Sequence, residues 1–190
     1  MRIVTFDIET ANWLGDGVSS AVDLDIAIVC AHDSETDTYS SYLSHELPNL
    51  WPILERTDIL VGYNSDHFDI PLLNKYYPGD LTKIKSLDIR KEVHLVLGRR
   101  IKLDSIAEAT LGEKKSGSGA QSLQWWRAGD VDKVRSYCLK DVEITRKVFD
   151  YALEKNALKY KELGQTRELK LDTSKWLAPA GTAMTFTLGL

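Results

Sequence analysis

The sequence predicts an α/β fold in layers, with a mixed central sheet flanked by helices. Two observations carry this. Short β-type runs come early, and from about residue 69 strands mix with helical patterns. A single long amphipathic stripe then closes the regular part of the chain.

Residues 3–9 alternate as a strand, with Ile3, Thr5, Asp7 and Glu9 on one face and Val4, Phe6 and Ile8 on the other. A polar, glycine-containing loop (NWLGDGVSS) follows. The nearly continuous apolar run 24–32 reads as a buried strand, and 38–43 as its hairpin partner across SETD. Residues 47–56 suggest a short helix and 59–63 another strand. A helical pattern over 69–77 stops at PGD, and 84–89 reads as a last strand of the sheet. Among the helices that follow, one begins near Ser105, where Ser105 and Glu108 have capping-box spacing, and ends at Gly112. EKKSGSGAQS has the composition of a flexible loop, the long helix covers about 130–156, and KYKELGQTRELKLD reads as a hairpin. The tail ends in TAMTFTLGL. This gives one main domain, 1–156, with 157–190 as a hairpin and tail packed on it.

The bulk properties exclude some classes. A net charge of −4 argues against a protein that coats nucleic acid through basicity alone. It leaves room for one that grips a few phosphates with the help of bound cations. Cys30 and Cys138 are far apart, lie in apolar patterns and form no CxxC pair, as expected of buried thiols in a reducing cytoplasm. MRIVTFDIE turns charged too early for a leader or anchor, and no apolar run approaches the roughly 20 residues of a membrane helix. The expectation is a soluble, cytoplasmic protein with no membrane partner.

The informative residues are acids in unexpected places. Asp141 falls in the centre of the long helix's apolar stripe, and Tyr137 lies one turn before it on the same face. An inward carboxylate needs opposite charge, and Lys133 and Lys140 point elsewhere. Asp7 and Glu9 stand side by side at the end of a hydrophobic strand, where like charges repel and lose hydration unless a cation compensates. The bland alternatives stand beside these readings. D-x-E recurs at Asp33/Glu35 and Asp141/Glu143, and Asp69, just before Pro71, has the position of an ordinary helix cap, as does Asp66. Oxygen-only ligands without clustered His or Cys select hard cations, Mg²⁺ or Mn²⁺, over zinc. His32, His45, His67 and His94 show no ligand spacing, and only His67 adjoins an acidic segment.

FDIET, YNSDHFD and YCLKD, in this order, resemble the three motifs of the DEDD (DnaQ-like) superfamily of 3′–5′ exonucleases, whose fold is ribonuclease H-like. Tyr137, with Ser at 136, is similar to the Tyr subgroup; GYNSDHFDIPLL and YCLKDV look most like the proofreading exonuclease of family B DNA polymerases. The resemblance implies a two-metal phosphodiester hydrolase acting on the 3′ end of a single strand and releasing nucleoside 5′-monophosphates. Asp7 would bridge both ions, and Glu9 and Asp141 would complete the site of the ion that carries the attacking water. Asp69 would hold the second ion through water, and Tyr137 would orient the nucleophile. It also implies Thr10, Asn64 and Phe68 as substrate contacts, with Phe68 open to a core role. Trp125 and Trp126 offer a stacking surface or core packing, and Lys114 and Lys115 a phosphate contact or a solvated loop. The likeness favours DNA over RNA and a place in DNA repair, yet no residue clearly reads a 2′-hydroxyl. With 190 residues there is no room for a polymerase domain, so the expectation is a chain that stands alone or serves as a subunit, its tail available to a protein partner. The alternative is a catalytically silent binding or scaffolding module, which typically lacks one or more of these acids.

Overall fold

The computed structural model describes residues 1–14, 17–18, 20–113 and 117–179. β1 (Ile3–Thr10) is the middle strand of a five-stranded sheet. β2 (Ile26–Asp33) lies antiparallel beside it, and β3 (Thr38–Leu43) antiparallel beside β2. On the other side β4 (Ile59–Gly62) and β5 (Lys85–Asp88) run parallel to β1. The apolar run of β2 is buried at every position, which is why it does not alternate.

The two faces of β1 meet different layers. Val4, Phe6 and Ile8 pack against α1 (Trp51–Leu54) and α2 (Asp69–Asn74) through Leu50, Leu54, Ile70 and Leu73. On the opposite face, α3 (Ile89–Leu97), α4 (Leu103–Leu111) and the long α6 (Val131–Lys155) bury Val93, Ile106, Ile144 and Val148 against Ile59, Val61 and Leu87. α5 (Gly119–Arg127) packs beside α6. The terminal hairpin, β6 (Ala157–Glu162) and β7 (Gln165–Lys170), contributes Leu158, Tyr160 and Leu169 to this same core.

Several local expectations need correction. Residues 47–56 are divided between a 3₁₀ turn, Ser44–Asn49, and the single helical turn of α1, because Pro48 and Pro52 interrupt a continuous ladder. Ser105 and Glu108 form no capping box: α4 starts earlier, after Lys102, so both lie inside the helix. Its end at Gly112 is as expected, with a left-handed φ of 74° that glycine adopts at no steric cost. The expected strand 84–89 is Lys85–Asp88, and α3 begins at Ile89, where the Asp88 carboxylate accepts the amides of Arg90 and Lys91 as an N-cap. The loop after Gly112 is shorter than its composition suggested, since Ser118 caps α5 and the helix starts at Gly119. Lys114, Lys115 and the terminal TAMTFTLGL lie outside the described residues.

Candidate active site

The site forms where β1 outruns its parallel neighbour. Pairing with β4 ends at Thr5↔Val61, whereas β1 continues through Asp7 and Glu9 alongside β2. Period-2 alternation turns both acids toward the layer that contains α6. Cys30, opposite Asp7 in the β1–β2 register, packs with Ile28 against Val134, Cys138 and Val142 of α6. The Cys138 thiol donates to the Asp7 carbonyl at 3.5 Å, holding the helix against the strand at this level. Asp141, one turn on, is thereby delivered to the strand acids.

The result is one cluster: carboxylate oxygens of Asp7, Glu9 and Asp141 all lie within 4.8 Å of one another. Glu9 and Asp141 are buried and Asp7 is half-buried. Three carboxylates so placed form a hard, oxygen-only donor set of the kind a divalent cation takes. The lysines that flank Asp141 in sequence are engaged elsewhere. Lys140 bonds Glu113 and Glu143 at 2.9 and 3.1 Å, and Lys133 bonds Asp130 at 2.5 Å. Cys138, buried between Cys30 and the acids, has its thiol pushed well above the ordinary range, first by burial and then by Cys30, Asp7 and Glu9.

Asp69 lies outside this cluster. It is the first residue of α2 rather than its cap, a position taken by Phe68, and its side chain is buried. Burial, seconded by the charge of Asp88, raises its carboxyl to about 7 against the opposing pull of its own amide and that of Ile8. Asp66 does not cap α2 either; its carboxylate takes the Ser86 hydroxyl at 2.6 Å and Lys91 at 2.8 Å.

The turn between β4 and α2 is shaped by close approach. A Cβ on Gly62 would stand 2.5 Å from the Ser65 Cβ, so only glycine lets the turn fold back here. Asn64 adopts a left-handed φ of 77°, which asparagine tolerates better than most residues. Buried Asp88 accepts the amides of Asn64 and Asp66 at 2.8 and 3.1 Å, fixing this turn to β5. The Asn64 side-chain oxygen accepts from the Arg90 guanidinium.

A cleft of ≈ 500 Å³ opens over Asp7 and Tyr137 and is walled by Asn64, Arg90, Arg100 and Lys102. These cations were not singled out from the sequence; the short basic run G-R-R-I-K, residues 98–102, was the signal for Arg100 and Lys102, and Arg90 in α3 had none. Tyr137 is buried beneath Trp125, whose ring meets it edge-on at 6.1 Å. Both Trp125 and Trp126 are half-buried against the Ile28/Cys30 cluster. Thr10, half-buried, donates its hydroxyl to the Asn12 carbonyl at 2.9 Å, and Phe68 packs against the core beneath α2. Of the three expected substrate contacts, only Asn64 lines the cleft.

A mixed sheet in the order β3-β2-β1-β4-β5, with two acids of its central strand meeting one acid of the long helix, is the frame of a nuclease-like α/β domain. The family model for the RNase_H superfamily matches residues 4–153, and the chain belongs to that superfamily. This agrees with the fold class and the family resemblance read from the three motifs. Among solved structures, it is similar to a family B DNA polymerase from the hyperthermophilic archaeon Pyrobaculum calidifontis, with a TM-score of 0.64 and 17% identity. That alignment covers 80% of this chain and 24% of the polymerase. It is also similar to Trypanosoma brucei RNase D, with a TM-score of 0.57 and 15% identity, over 78% of this chain and 56% of that one. The chain thus spans about a quarter of the polymerase and a little over half of the RNase D. No curated protein matches the chain. No helix among the described residues is long and apolar enough to cross a membrane.

Proposed function

We propose that this protein is a divalent-metal-dependent 3′–5′ exonuclease that hydrolyses single-stranded nucleic acid from its 3′ end, DNA in preference to RNA, and releases nucleoside 5′-monophosphates. The convergence of Asp7, Glu9 and Asp141 within 4.8 Å is the observation that carries this reading. A phosphodiester repels an anionic nucleophile, and Mg²⁺ or Mn²⁺ held by these carboxylates supplies both activated water and charge neutralisation. Asp7, Glu9 and Asp141, with Asp69 beside them in this reading, are the residues that would hold two such ions, which would supply an activated water and neutralise the phosphate. Tyr137, in the cleft beside Asp7, is the group that orients the attacking water. Superfamily membership and the likeness to a DNA polymerase and to an RNase D support a nucleic-acid substrate. Residues 1–156 are taken as the catalytic unit, and 157–190 as its C-terminal extension, open to a protein partner.

The test uses 5′-labelled single-stranded DNA and RNA of one sequence with Mg²⁺ or Mn²⁺, for wild type and Asp141→Asn. The expected result is a ladder shortening from the 3′ end, faster on DNA and abolished by the substitution and by chelator. Intact strands under every metal condition, with metal binding retained, would leave a scaffolding role instead.

A further inference from the structure

The cleft over the carboxylates continues into a second hollow of ≈ 150 Å³, lined by Asn64, His67, Arg90, Lys91, His94 and Arg100. The two share Asn64, Arg90 and Arg100, so they form one groove with an acidic end and a cationic end. The cationic end is charged in effect as well as in composition. Asp88 also borders it, but that carboxylate is buried and accepts four backbone amides, those of Asn64, Asp66, Arg90 and Lys91. Lys91 is shared with Asp66 at 2.8 Å. Arg90 bonds the neutral amide of Asn64, and among the described residues no carboxylate lies within 4 Å of Arg90 or Arg100.

The opposite exit from the site is different. A hollow of ≈ 320 Å³ on the far side of Tyr137 is lined by Trp125, Asp132, Lys133 and Ser136. There Lys133 is matched to Asp130 at 2.5 Å, and Asp132 adds negative charge. Among the described residues, the excess of positive charge lies at the first exit, and that is the one that attracts phosphate.

The geometry points to the Arg90–Arg100 hollow as a second phosphate subsite, which takes the sugar-phosphate backbone of the strand upstream of the scissile bond. This rests on the nuclease reading for what occupies the carboxylate end. Asn64 is then a positioning residue: held by Asp88 through its amide, it aims the Arg90 guanidinium along the groove. A dinucleotide reaches the carboxylates but not the far end of the hollow, whereas a decamer fills both.

The experiment is fluorescence anisotropy of labelled oligodeoxynucleotides, a dinucleotide to a decamer, in Ca²⁺ across a salt series. It compares wild type, Arg90→Gln/Arg100→Gln and Lys133→Gln. Each lost phosphate contact lowers the slope of log K against log salt by about 0.7 for a single strand, so the double substitution is expected to lower it by about 1.4. Decamer affinity is expected to fall on the order of tenfold at moderate salt, with a loss that grows with strand length, while Lys133→Gln leaves the slope where it was. An equal loss for dinucleotide and decamer, or an unchanged slope in a protein that still cleaves, overturns the subsite alone. A strand bound through the arginines by a protein that cleaves nothing keeps the subsite and removes the nuclease reading. Circular-dichroism melts of the double variant establish that it is folded, as expected from two side chains that are exposed or half-exposed.

Discussion

The two sides of α6 carry acids under opposite conditions. On its outer side Glu143, with Glu113 from the end of α4, is met by Lys140 and Lys147 at 2.6–3.1 Å, and these four form a partly exposed network. On its inner side Asp141 is buried and stands within 4.8 Å of two further carboxylates. The outer acids are a solvated face balanced charge for charge. The inner acids are gathered on each other, the oxygen-only arrangement that a divalent cation can take. One helix thus serves both as a surface strut and as a site wall, and the neighbours of each acid decide which.

The largest effect expected from this contrast is on catalysis. On the proposed nuclease reading, Asp141→Asn should lower the cleavage rate on the order of a thousandfold, about 4 kcal/mol of transition-state stabilisation, because it removes charge from the carboxylate cluster. The same exchange on the outer side, Glu143→Gln, should leave the rate within about twofold. Gel-resolved cleavage kinetics on the two variants decide this, and comparable losses would dissolve the distinction between the two sides.

Metal should separate the two sides by stability as well. Asp141→Asn removes one of the three clustered carboxylates, so the stabilisation gained on adding Mg²⁺ or Mn²⁺ is expected to shrink in the variant. Wild type gains about 2.7 kcal/mol when the ion is at a hundred times its Kd, and the variant gains less. A thermal shift series with and without chelator reads this directly.

Asp69 extends the comparison to pH. Its carboxyl is raised to about 7 by burial, so the metal-free folded state keeps a proton that the unfolded chain releases near 4. The folded state then binds more protons across that window, and stability falls as pH rises through it, by on the order of 4 kcal/mol in total. Buried His32 acts in the other direction. Burial lowers its pKa, so the unfolded chain takes up a proton first and stability is lost as pH falls through about 6.5. The melting difference between Asp69→Asn and wild type cancels the histidine, and it should shift in favour of the variant between pH 5 and 8. A flat difference would refute a protonated Asp69.

The legibility of the molecule follows the range of the signals. β1 and α6 were readable from their periods, β2 from its unbroken apolar run and β3 as its hairpin partner, and α6 ends at Asn156 as expected, with a left-handed φ of 50°. Asp141 was legible because it breaks such a period. Asp7 and Glu9 were legible because a strand places residues two apart together. The basic wall was not, since Arg90 and Arg100 come from two separate elements that meet only when Asp88 draws the Asn64 turn onto β5. Asp69 looked like a cap because cap and buried acid share one sequence position, and only the parallel register that leaves the Ile8 amide accessible distinguishes them.

Gly62→Ala probes how closely the second acidic segment is built. The new Cβ would meet the Ser65 side chain at 2.5 Å, so the turn must shift or Ser65 must leave its buried place. Overpacking of this kind costs about 1–3 kcal/mol. A double change to Gly62→Ala/Ser65→Gly should recover most of it, because the clash is with that one side chain. If the turn matters only for stability, the rescued protein cleaves like wild type. If it also aims Asn64 and Asp69, cleavage stays low after stability returns.

The smallest effects belong to the outer network, and their smallness is informative. Lys140 and Glu143 are each about a third exposed, at 34% and 35%, so solvent screens their attraction and ordering two long side chains offsets much of what remains. Removing the pair with Glu143→Gln is expected to change stability by no more than about 0.5 kcal/mol, and less at high salt. Lys147 has its pKa pushed up by Glu113 and Glu143, but an exposed site turns little of that into folding energy. Denaturant melts of Glu143→Gln at low and high salt measure it. A loss of several kcal/mol that persisted in salt would mean that the outer acids hold α6 in place for the inner ones, and that the two sides of the helix are a single device.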